Sequence, residues 1–202
     1  MLEYFHQGGG FMWPILFILI LGLAISIERF ISLFRAGVNT RKFIDEVTKA
    51  LDKGGSKGAI KVCQDTRGPV ASVFHAGLLR IGRGLEHVEK AISNAGSIEM
   101  AFLERNMSWL STFISIAPML GFTGTVVGMI KAFEDIAQAN DISPAIVADG
   151  ISIALLTTCF GLIVAIILQL FYNFFISKID SLVIDMEESS VELIDHLAEE
   201  EK

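Results

Sequence analysis

Three long runs of apolar residues alternate with polar segments along the chain. The runs cover residues 11–27, 109–130 and 150–177, and none of them contains a charged side chain. A helix of about 20 residues, rising 1.5 Å per residue, crosses the roughly 30 Å of hydrocarbon in a bilayer. Apolar residues continue beyond the first run as far as Phe34, so all three runs are long enough to cross. The predicted transmembrane helices cover residues 11–34, 108–133 and 145–177.

The segments between and after these runs also have a helical pattern. Apolar residues recur every three or four positions in residues 35–107, as at Phe43 and Val47, and no stretch alternates as a strand would. Residues 178–202 continue this spacing, which predicts a helix that packs against the loop helices or against a neighbouring subunit. The sequence therefore predicts an all-α integral membrane protein, with three transmembrane helices and long cytoplasmic helical extensions. The apolar stripe of the tail consists of Ile179, Val183, Met186, Leu193 and Leu197.

Glycine and proline mark the predicted ends of the shorter helices. Breaks are expected at Gly54–Gly55, at Gly68–Pro69 and at Gly82/Gly84. No proline lies between Glu86 and Asn106, so the helix there is expected to run unbroken into the second span.

The third span has a helix-start signal ahead of its apolar run. Ser143 is a typical capping residue and Pro144 suits the first helical position, so the helix is expected to begin in the short connection before residue 150.

Basic residues determine the predicted orientation. Residues 35–105 contain twelve Lys and Arg, whereas residues 1–10 and 134–149 contain none. Segments rich in Lys and Arg stay on the cytoplasmic side, and the acidic tail contributes little to this rule. We therefore place the N-terminus in the periplasm and the C-terminus in the cytoplasm of a bacterial cell, across its inner membrane. The segments outside the spans are then 1–10 and 134–144 in the periplasm, and 35–107 and 178–202 in the cytoplasm.

Residues at the two ends of the first run indicate whether it is cleaved and where its flanking charges lie. Only Glu3 and His6 are ionisable ahead of it, and no small-residue cleavage site follows, so a retained helix is favoured over a cleaved signal peptide. At the other end Glu28 and Arg29 could pair within the membrane, but snorkelling to the headgroups is the more common outcome and is expected here.

The composition agrees with a membrane protein and offers no enzyme chemistry. Hydrophobic residues make up 52% and charged residues 19% of the chain. Cys63 and Cys159 are too few for a disulfide framework or a metal site, and the four histidines have no ligand spacing. The chain lacks a phosphate loop, a nucleophile elbow and an HExxH motif. We expect no enzyme activity, no cofactor and no metal.

The second run is unusually rich in small and polar residues. Steps of three and four from Thr125 reach Gly121 and Gly128, so these residues share one face. Such a face lets another helix approach closely or leaves room for water, and packing is the more common of these two uses. The face and its neighbours comprise Pro118, Gly121, Thr123, Gly124, Thr125 and Gly128.

The third run has a comparable face. Thr158, Gly161, Ala165 and Gln169 lie on one side of the helix, and Thr157 is adjacent to Thr158 but cannot point the same way. An amide such as Gln169 in an apolar run needs a partner or water, whereas a threonine can bond to its own helix. Two small-residue faces on different spans need more neighbours than three helices provide, which predicts a homo-oligomer.

Two motifs resemble the MotA/TolQ/ExbB proton channel family. Residues 117–130, APMLGFTGTVVGMI, are similar to the family's second-span pattern A-P-x-x-G-x-x-G-T-V-x-G-M/I. Residues 150–162 are similar to its third-span pattern G-I-x-x-A-L-x-x-T-x-x-G-L. The three-span layout favours the ExbB and TolQ members, since MotA members have four spans, and the chain resembles the ExbB members most closely.

The resemblance implies an assembly and a role for particular residues. It implies a homopentamer whose second and third spans line a lumen, in which Thr125 and Thr158 are hydroxyls of the ion pathway. Thr123, Thr157 and Gln169 are further candidates for that pathway. An ExbD-like single-span partner would supply an essential membrane Asp, and the assembly would act on a TonB-like protein. Expected contacts are therefore with protein and membrane lipid, with no nucleic acid.

One position departs from the family pattern. Many ExbB and TolQ members have a Glu where this chain has Ile153, which leaves no carboxylate in the uncharged part of either motif span. A Thr hydroxyl does not ionise in the physiological range, so another chain must carry a proton-binding carboxylate. Asp149 could replace the Glu, although a solvated acid at the helix start is the more common case.

Three alternatives remain open at this stage. The threonine oxygens also suit sodium, a hard cation. The role could be that of TolQ or of another envelope motor. A protein of a different class, a membrane scaffold that holds partner helices without conducting, would show the same small-residue faces.

Overall fold

The computed structural model describes residues 5, 7–37, 40–139 and 144–200. Within these residues every regular element is a helix, and there is no strand. Pro69 starts one of the helices at its first position, where a missing N–H costs nothing. The helices are α1 Met12–Ala36, α2 Thr40–Asp65, α3 Pro69–Leu78, a 3-10 turn Ile81–Arg83, α4 Leu85–Leu103, α5 Met107–Ala139 and α6 Pro144–Glu200.

Among the described residues, three helices are long and apolar enough to cross a membrane, and they contain the three apolar runs except for Phe11. The second helix extends beyond the predicted end of its span at residue 133 and ends at Ala139. The third begins at Pro144, as its proline predicts. Parts of the predicted segments, including the Ser143 cap, lie outside the described residues. These parts are residues 1–4, 6, 38–39, 140–143 and 201–202.

The chain divides into two compact units. The first contains the described residues of Met1–Glu28 and Asn106–Phe174, and the second those of Arg29–Arg105 and Phe175–Lys202. In the first unit α1, α5 and α6 pack through small and aliphatic side chains. A Cβ added at Gly22 of α1 would lie 2.6 Å from Leu168 Cδ1 of α6, so these two helices are in close contact.

The second unit contains the short helices and the C-terminal part of α6. The Phe43 and Phe74 rings lie 5.4 Å apart in its core. Its helices break at Gly55, whose φ is 62°, and at Gly84, whose φ is 96°, as predicted. Left-handed values of this kind favour glycine because it has no Cβ. The tail stripe is buried here, with Met186 facing Gly96 of α4, so it packs against the loop helices. Four members of the stripe are buried and Val183 is half-buried, and Leu182 beside them is buried as well; the buried members are Ile179, Met186, Leu193 and Leu197.

The expectation of an unbroken helix from Glu86 to Asn106 and on into the second span is wrong. Helix α4 ends at Leu103, and α5 begins at Met107. Asn106 has φ 63°, a left-handed conformation that its short polar side chain tolerates better than most. Its Nδ2 donates a hydrogen bond to Glu28 Oε2 at 3.3 Å.

The expectation that Arg29 snorkels to the headgroups is also wrong. Its side chain is only 3% exposed. Nη1 donates to the carbonyl oxygens of Phe102 at 3.3 Å and of Leu103 at 3.4 Å. The last carbonyls of a helix have no partner within that helix, so a buried guanidinium is held at the end of α4 by satisfying them.

Candidate functional site

The candidate site lies where α5 and α6 approach each other in the first unit. A Cβ added at Gly121 would lie 2.9 Å from the carbonyl oxygen of Thr157 and 3.0 Å from Thr158 Cα. One added at Gly161 would lie 2.6 Å from the Ala117 carbonyl oxygen. Backbone atoms cannot yield as a flexible side chain can. The glycines are therefore what allows the two backbones to meet.

The same contact continues along α5. A Cβ added at Gly128 would lie 3.2 Å from Ala154 N and 3.3 Å from the Gly150 carbonyl oxygen. The small faces of the second and third spans thus pack against each other within one chain. The argument that these faces require further neighbours is therefore wrong, because each face already has the other as its partner.

Thr125 and Thr158 meet at this contact. Their hydroxyl groups are hydrogen-bonded to each other. Thr158 Oγ1 also lies 3.1 Å from the carbonyl oxygen of Gly121, and Thr125 Oγ1 lies 3.0 Å from that of Ala154. Both side chains are half-buried. The family's two hydroxyl positions are thus brought together across the helix pair.

The hydroxyl pair can adopt two hydrogen-bond directions. Each hydroxyl has a single hydrogen and two acceptor lone pairs. Either Thr125 donates to Thr158, which donates to the Gly121 carbonyl, or Thr158 donates to Thr125, which donates to the Ala154 carbonyl. Both arrangements satisfy the hydroxyls without an external partner.

Thr157 has a packing position instead. It is 1% exposed, and its Oγ1 donates to the Ala154 carbonyl oxygen at 2.9 Å. A Cβ added at Gly124 would lie 2.6 Å from this hydroxyl oxygen, so Thr157 fills the space that Gly124 leaves on α5. It is part of the helix contact and is separate from the hydroxyl pair.

Two further candidates lie away from the pair. Thr123 is exposed and bonds back to the Met119 carbonyl oxygen at 2.8 Å. Gln169 Nε2 donates to Asn173 Oδ1 at 2.8 Å on the same helix. Eleven residues of helix separate Gln169 from Thr158, or about 16 Å at 1.5 Å per residue. The structure therefore does not bring either residue to Thr125 and Thr158.

The remaining motif positions are also placed. Pro118 lies inside α5, where it removes one backbone donor from the helix. Ile153 is half-buried, 3.6 Å from where a Cβ on Gly9 would be, and Asp149 is exposed. Within the described residues no group of three or more His, Cys, Asp or Glu side chains could hold a metal ion.

Sequence reasoning missed two partners. Asn173 lies four positions after Gln169, a spacing that places two helical side chains side by side and that could have identified the pair. Arg29 gave no such signal, because its acceptors are backbone carbonyls more than seventy positions away.

Comparison with known proteins supplies the family. The model of the MotA/TolQ/ExbB proton channel family matches residues 65–188. A biopolymer transport protein ExbB homolog of Methanothermobacter thermautotrophicus is 35% identical over 181 residues, which are 89% of this chain and 64% of that protein. The chain thus spans less than two thirds of this relative's length.

Two other relatives cover different shares of the chain. The biopolymer transport protein ExbB-like 3 of Synechocystis is 31% identical over 83% of this chain and 81% of its own length. The Tol-Pal system protein TolQ of Pseudomonas aeruginosa is 35% identical over 49% of this chain and 43% of its own length. With its three apolar helices and the family match over residues 65–188, the chain is a membrane protein that belongs to the MotA/TolQ/ExbB proton channel family.

Proposed function

We propose that this chain is the channel-forming subunit of an ion-driven motor of the ExbB type in the bacterial inner membrane. Its N-terminus lies in the periplasm and its C-terminus in the cytoplasm. The motor uses the proton gradient, worth about 2.3 kcal/mol per charge for each 100 mV, to do work on a TonB-like protein. It thereby energises transport across the outer membrane.

The observation that carries this proposal is the pairing of Thr125 and Thr158. Hydroxyls inside a membrane are expensive to leave unsatisfied, yet this chain has two together at the contact of its motif spans. Because the hydrogen bond between them can have either direction, the pair can accept a hydrogen bond from a water, or coordinate a cation through an oxygen lone pair, while it donates to another acceptor. A hydroxyl pair at the contact of two spans can join the helices or line a path for an ion, and the family match over both motif spans supports the second use.

A proton needs a titratable group, and this chain has no carboxylate in the uncharged part of either motif span. We therefore place the proton-binding carboxylate on an ExbD-like single-span partner, whose Asp approaches the threonine hydroxyls. Thr158 then donates its single hydrogen to the ionised Asp while it accepts a hydrogen bond from Thr125. The same oxygens could coordinate sodium, so the choice of ion depends on the partner as well.

The relatives matched over most of this chain favour the ExbB role. The ExbB homolog of Methanothermobacter thermautotrophicus and the ExbB-like 3 protein of Synechocystis match 89% and 83% of this chain, whereas TolQ of Pseudomonas aeruginosa matches 49% and ExbB of Salmonella typhimurium 40%. Five copies, the number implied by the family, would place the half-buried Thr125 and Thr158 of each chain around a common lumen. Native mass spectrometry in detergent tests this assembly, and a stable monomer would contradict it.

Two substitutions at Thr158 test the proposed pathway. Thr158→Ser keeps the hydroxyl and loses one methyl group, so gradient-dependent uptake should remain close to that of the unchanged protein. Thr158→Val keeps the branched shape but leaves its hydrogen-bond partners unsatisfied, at a cost of about 1–3 kcal/mol, and uptake should be lost. Thr112→Val is the control, since Thr112 is exposed on the same helix, bonds back to the Ser108 carbonyl oxygen and is not a pathway candidate. Uptake is compared at equal membrane levels, and full activity of Thr158→Val would exclude Thr158 from the pathway.

A non-conducting scaffold is the second candidate, and one observation favours it. The hydroxyls of Thr125 and Thr158 can be satisfied by each other and by two backbone carbonyls, with no need of an ion. A scaffold would bind its partner but carry no current. Under this candidate Thr158→Val would lower stability without changing ion flux in the assembled complex, and Thr158→Ser would show the larger packing defect.

A further inference from the structure

An open cavity of about 550 Å3, with both polar and apolar residues in its wall, lies in the second unit beside the end of α1. Ser32 and Ala36 of α1 form part of its wall. The charge-free part of the first span ends at residue 27, so these two residues follow it by about 7 and 14 Å along the helix. That distance places the cavity wall at the level of lipid headgroups, just beyond the hydrocarbon.

The cavity has one charge of each sign. Arg67 is exposed and Glu99 is half-buried, and both line it. Across the part of the chain that the structure describes, neither side chain makes an ion pair. Ser72 adds a hydroxyl, and the side-chain nitrogens of Gln64 and His75 are hydrogen-bonded at 3.3 Å on the same wall. A ligand with separate positive and negative groups would match this distribution.

An exposed aromatic side chain lies at the cavity. Phe102 lines it and is 59% exposed. Large apolar groups at a membrane boundary suit the upper part of an acyl chain. Polar wall and aromatic surface together have the pattern of an amphiphile.

We propose that this cavity binds the headgroup of a zwitterionic aminophospholipid of the ethanolamine type. Arg67 and Ser72 donate hydrogen bonds to the lipid phosphate, and Glu99 accepts from its primary ammonium. The acyl chains lie against Phe102. A glycerol headgroup has no positive group to pair with Glu99. A choline headgroup is positive but has no N–H to donate to the Glu99 carboxylate. The site is independent of ion conduction and does not rest on the proposed channel function.

Native mass spectrometry of the delipidated full chain in detergent tests the proposal. Phosphatidylethanolamine, phosphatidylglycerol and phosphatidylcholine are added at equal concentration, and the retained lipid is counted. The unchanged protein should retain the ethanolamine lipid preferentially. Arg67→Gln should weaken its retention about tenfold, as expected for loss of one charge-assisted hydrogen bond. Glu99→Gln should abolish the preference over the glycerol lipid while leaving that lipid's binding unchanged or stronger.

Matched controls separate the cavity from general charge effects. Arg83→Gln and Glu89→Gln alter exposed charges of the same unit that do not line this cavity. Both controls should retain the ethanolamine lipid as the unchanged protein does. Equal retention of all three lipids by the unchanged protein would overturn the proposal, as would an Arg67→Gln variant that folds normally and binds undiminished. Displacement of the lipid by free phosphoethanolamine at similar concentration would overturn the lipid as the occupant.

Discussion

Thr125 on α5 and Thr158 on α6 are 33 positions apart, yet their hydroxyls are hydrogen-bonded to each other. The bond lies between Gly121 and Ala154, whose carbonyl oxygens are the alternative acceptors. Any movement that separates α5 from α6 must break this network. We therefore expect the two motif spans to move as one piece, with ion binding altering the direction of their shared hydrogen bonds.

The close approach of α5 and α6 should depend on Gly161. In Gly161→Ala the new Cβ would meet the Ala117 carbonyl at 2.6 Å, so the helices must separate. We expect a loss of about 1–3 kcal/mol in stability, as for other overpacked sites, and a lower unfolding temperature in detergent. Gly82→Ala is the control, since a Cβ there meets nothing within 4 Å. Equal unfolding temperatures for the two variants would contradict the packing described.

The joint between α4 and α5 should depend on the backbone conformation of Asn106. Asn106→Val forces a β-branched residue into a left-handed conformation and should destabilise the protein by about 1–2 kcal/mol. Asn106→Gly removes only the exposed hydrogen bond to Glu28 and should remain close to the unchanged protein. Thermal unfolding of both variants measures the difference. If Gly were as harmful as Val, the side chain rather than the backbone would be responsible.

Burial should keep Cys63 unreactive. Desolvation raises the pKa of its thiol from 9.0 to about 12, so the reactive thiolate is scarce at neutral pH. A Cys159→Ser variant isolates this thiol. We expect slow maleimide labelling at pH 8 and rapid labelling after unfolding. Labelling of the folded variant as fast as that of a free thiol would contradict the burial.

The raised pKa of Cys63 also makes the stability of the folded state depend on pH. The folded state holds the Cys63 proton more tightly than the unfolded state, so its contribution to stability is full below pH 9 and lost as pH rises toward 12. Cys63→Ala should therefore show a shallower loss of stability across that range than the unchanged protein. A parallel decline of the two proteins would contradict the shift.

Several elements were predictable because their signals are local. Pro144 has the residue type favoured at the first position of a helix, and Gly55 and Gly84 adopt conformations that other residues avoid. The break at Asn106 was missed because asparagine takes the left-handed conformation only in a minority of cases, and its residue type gives no warning.

The site was only partly predictable. The sequence placed Thr125 and Thr158 on small-residue faces, but the same glycine pattern serves contacts within a chain and between chains. The residues of each span do not determine which of these contacts forms, so the packing of the α5 face against the α6 face could not be derived from the sequence. The burial of Arg29 could not be predicted from the sequence either, because its hydrogen-bond acceptors are backbone carbonyls distant in the sequence.

The proposed orientation predicts which side of the membrane each loop occupies. With both native cysteines replaced, a single Cys at Lys57 should be inaccessible to an impermeant thiol reagent in intact spheroplasts, and one at Gln138 should be labelled. Both positions are exposed in the structure, so burial does not confuse the result. Labelling at Lys57 without labelling at Gln138 would invert the proposed topology.

Ion flux in reconstituted liposomes tests the channel function most directly. The chain is incorporated alone and together with its single-span partner, and proton entry is followed with an internal pH dye under an imposed potential. The channel account predicts flux that requires both proteins, that persists in Thr158→Ser, and that falls to the level of empty liposomes when the partner's membrane Asp is replaced by Asn. A complex that co-purifies intact but carries neither protons nor sodium would contradict the account and identify the chain as a scaffold.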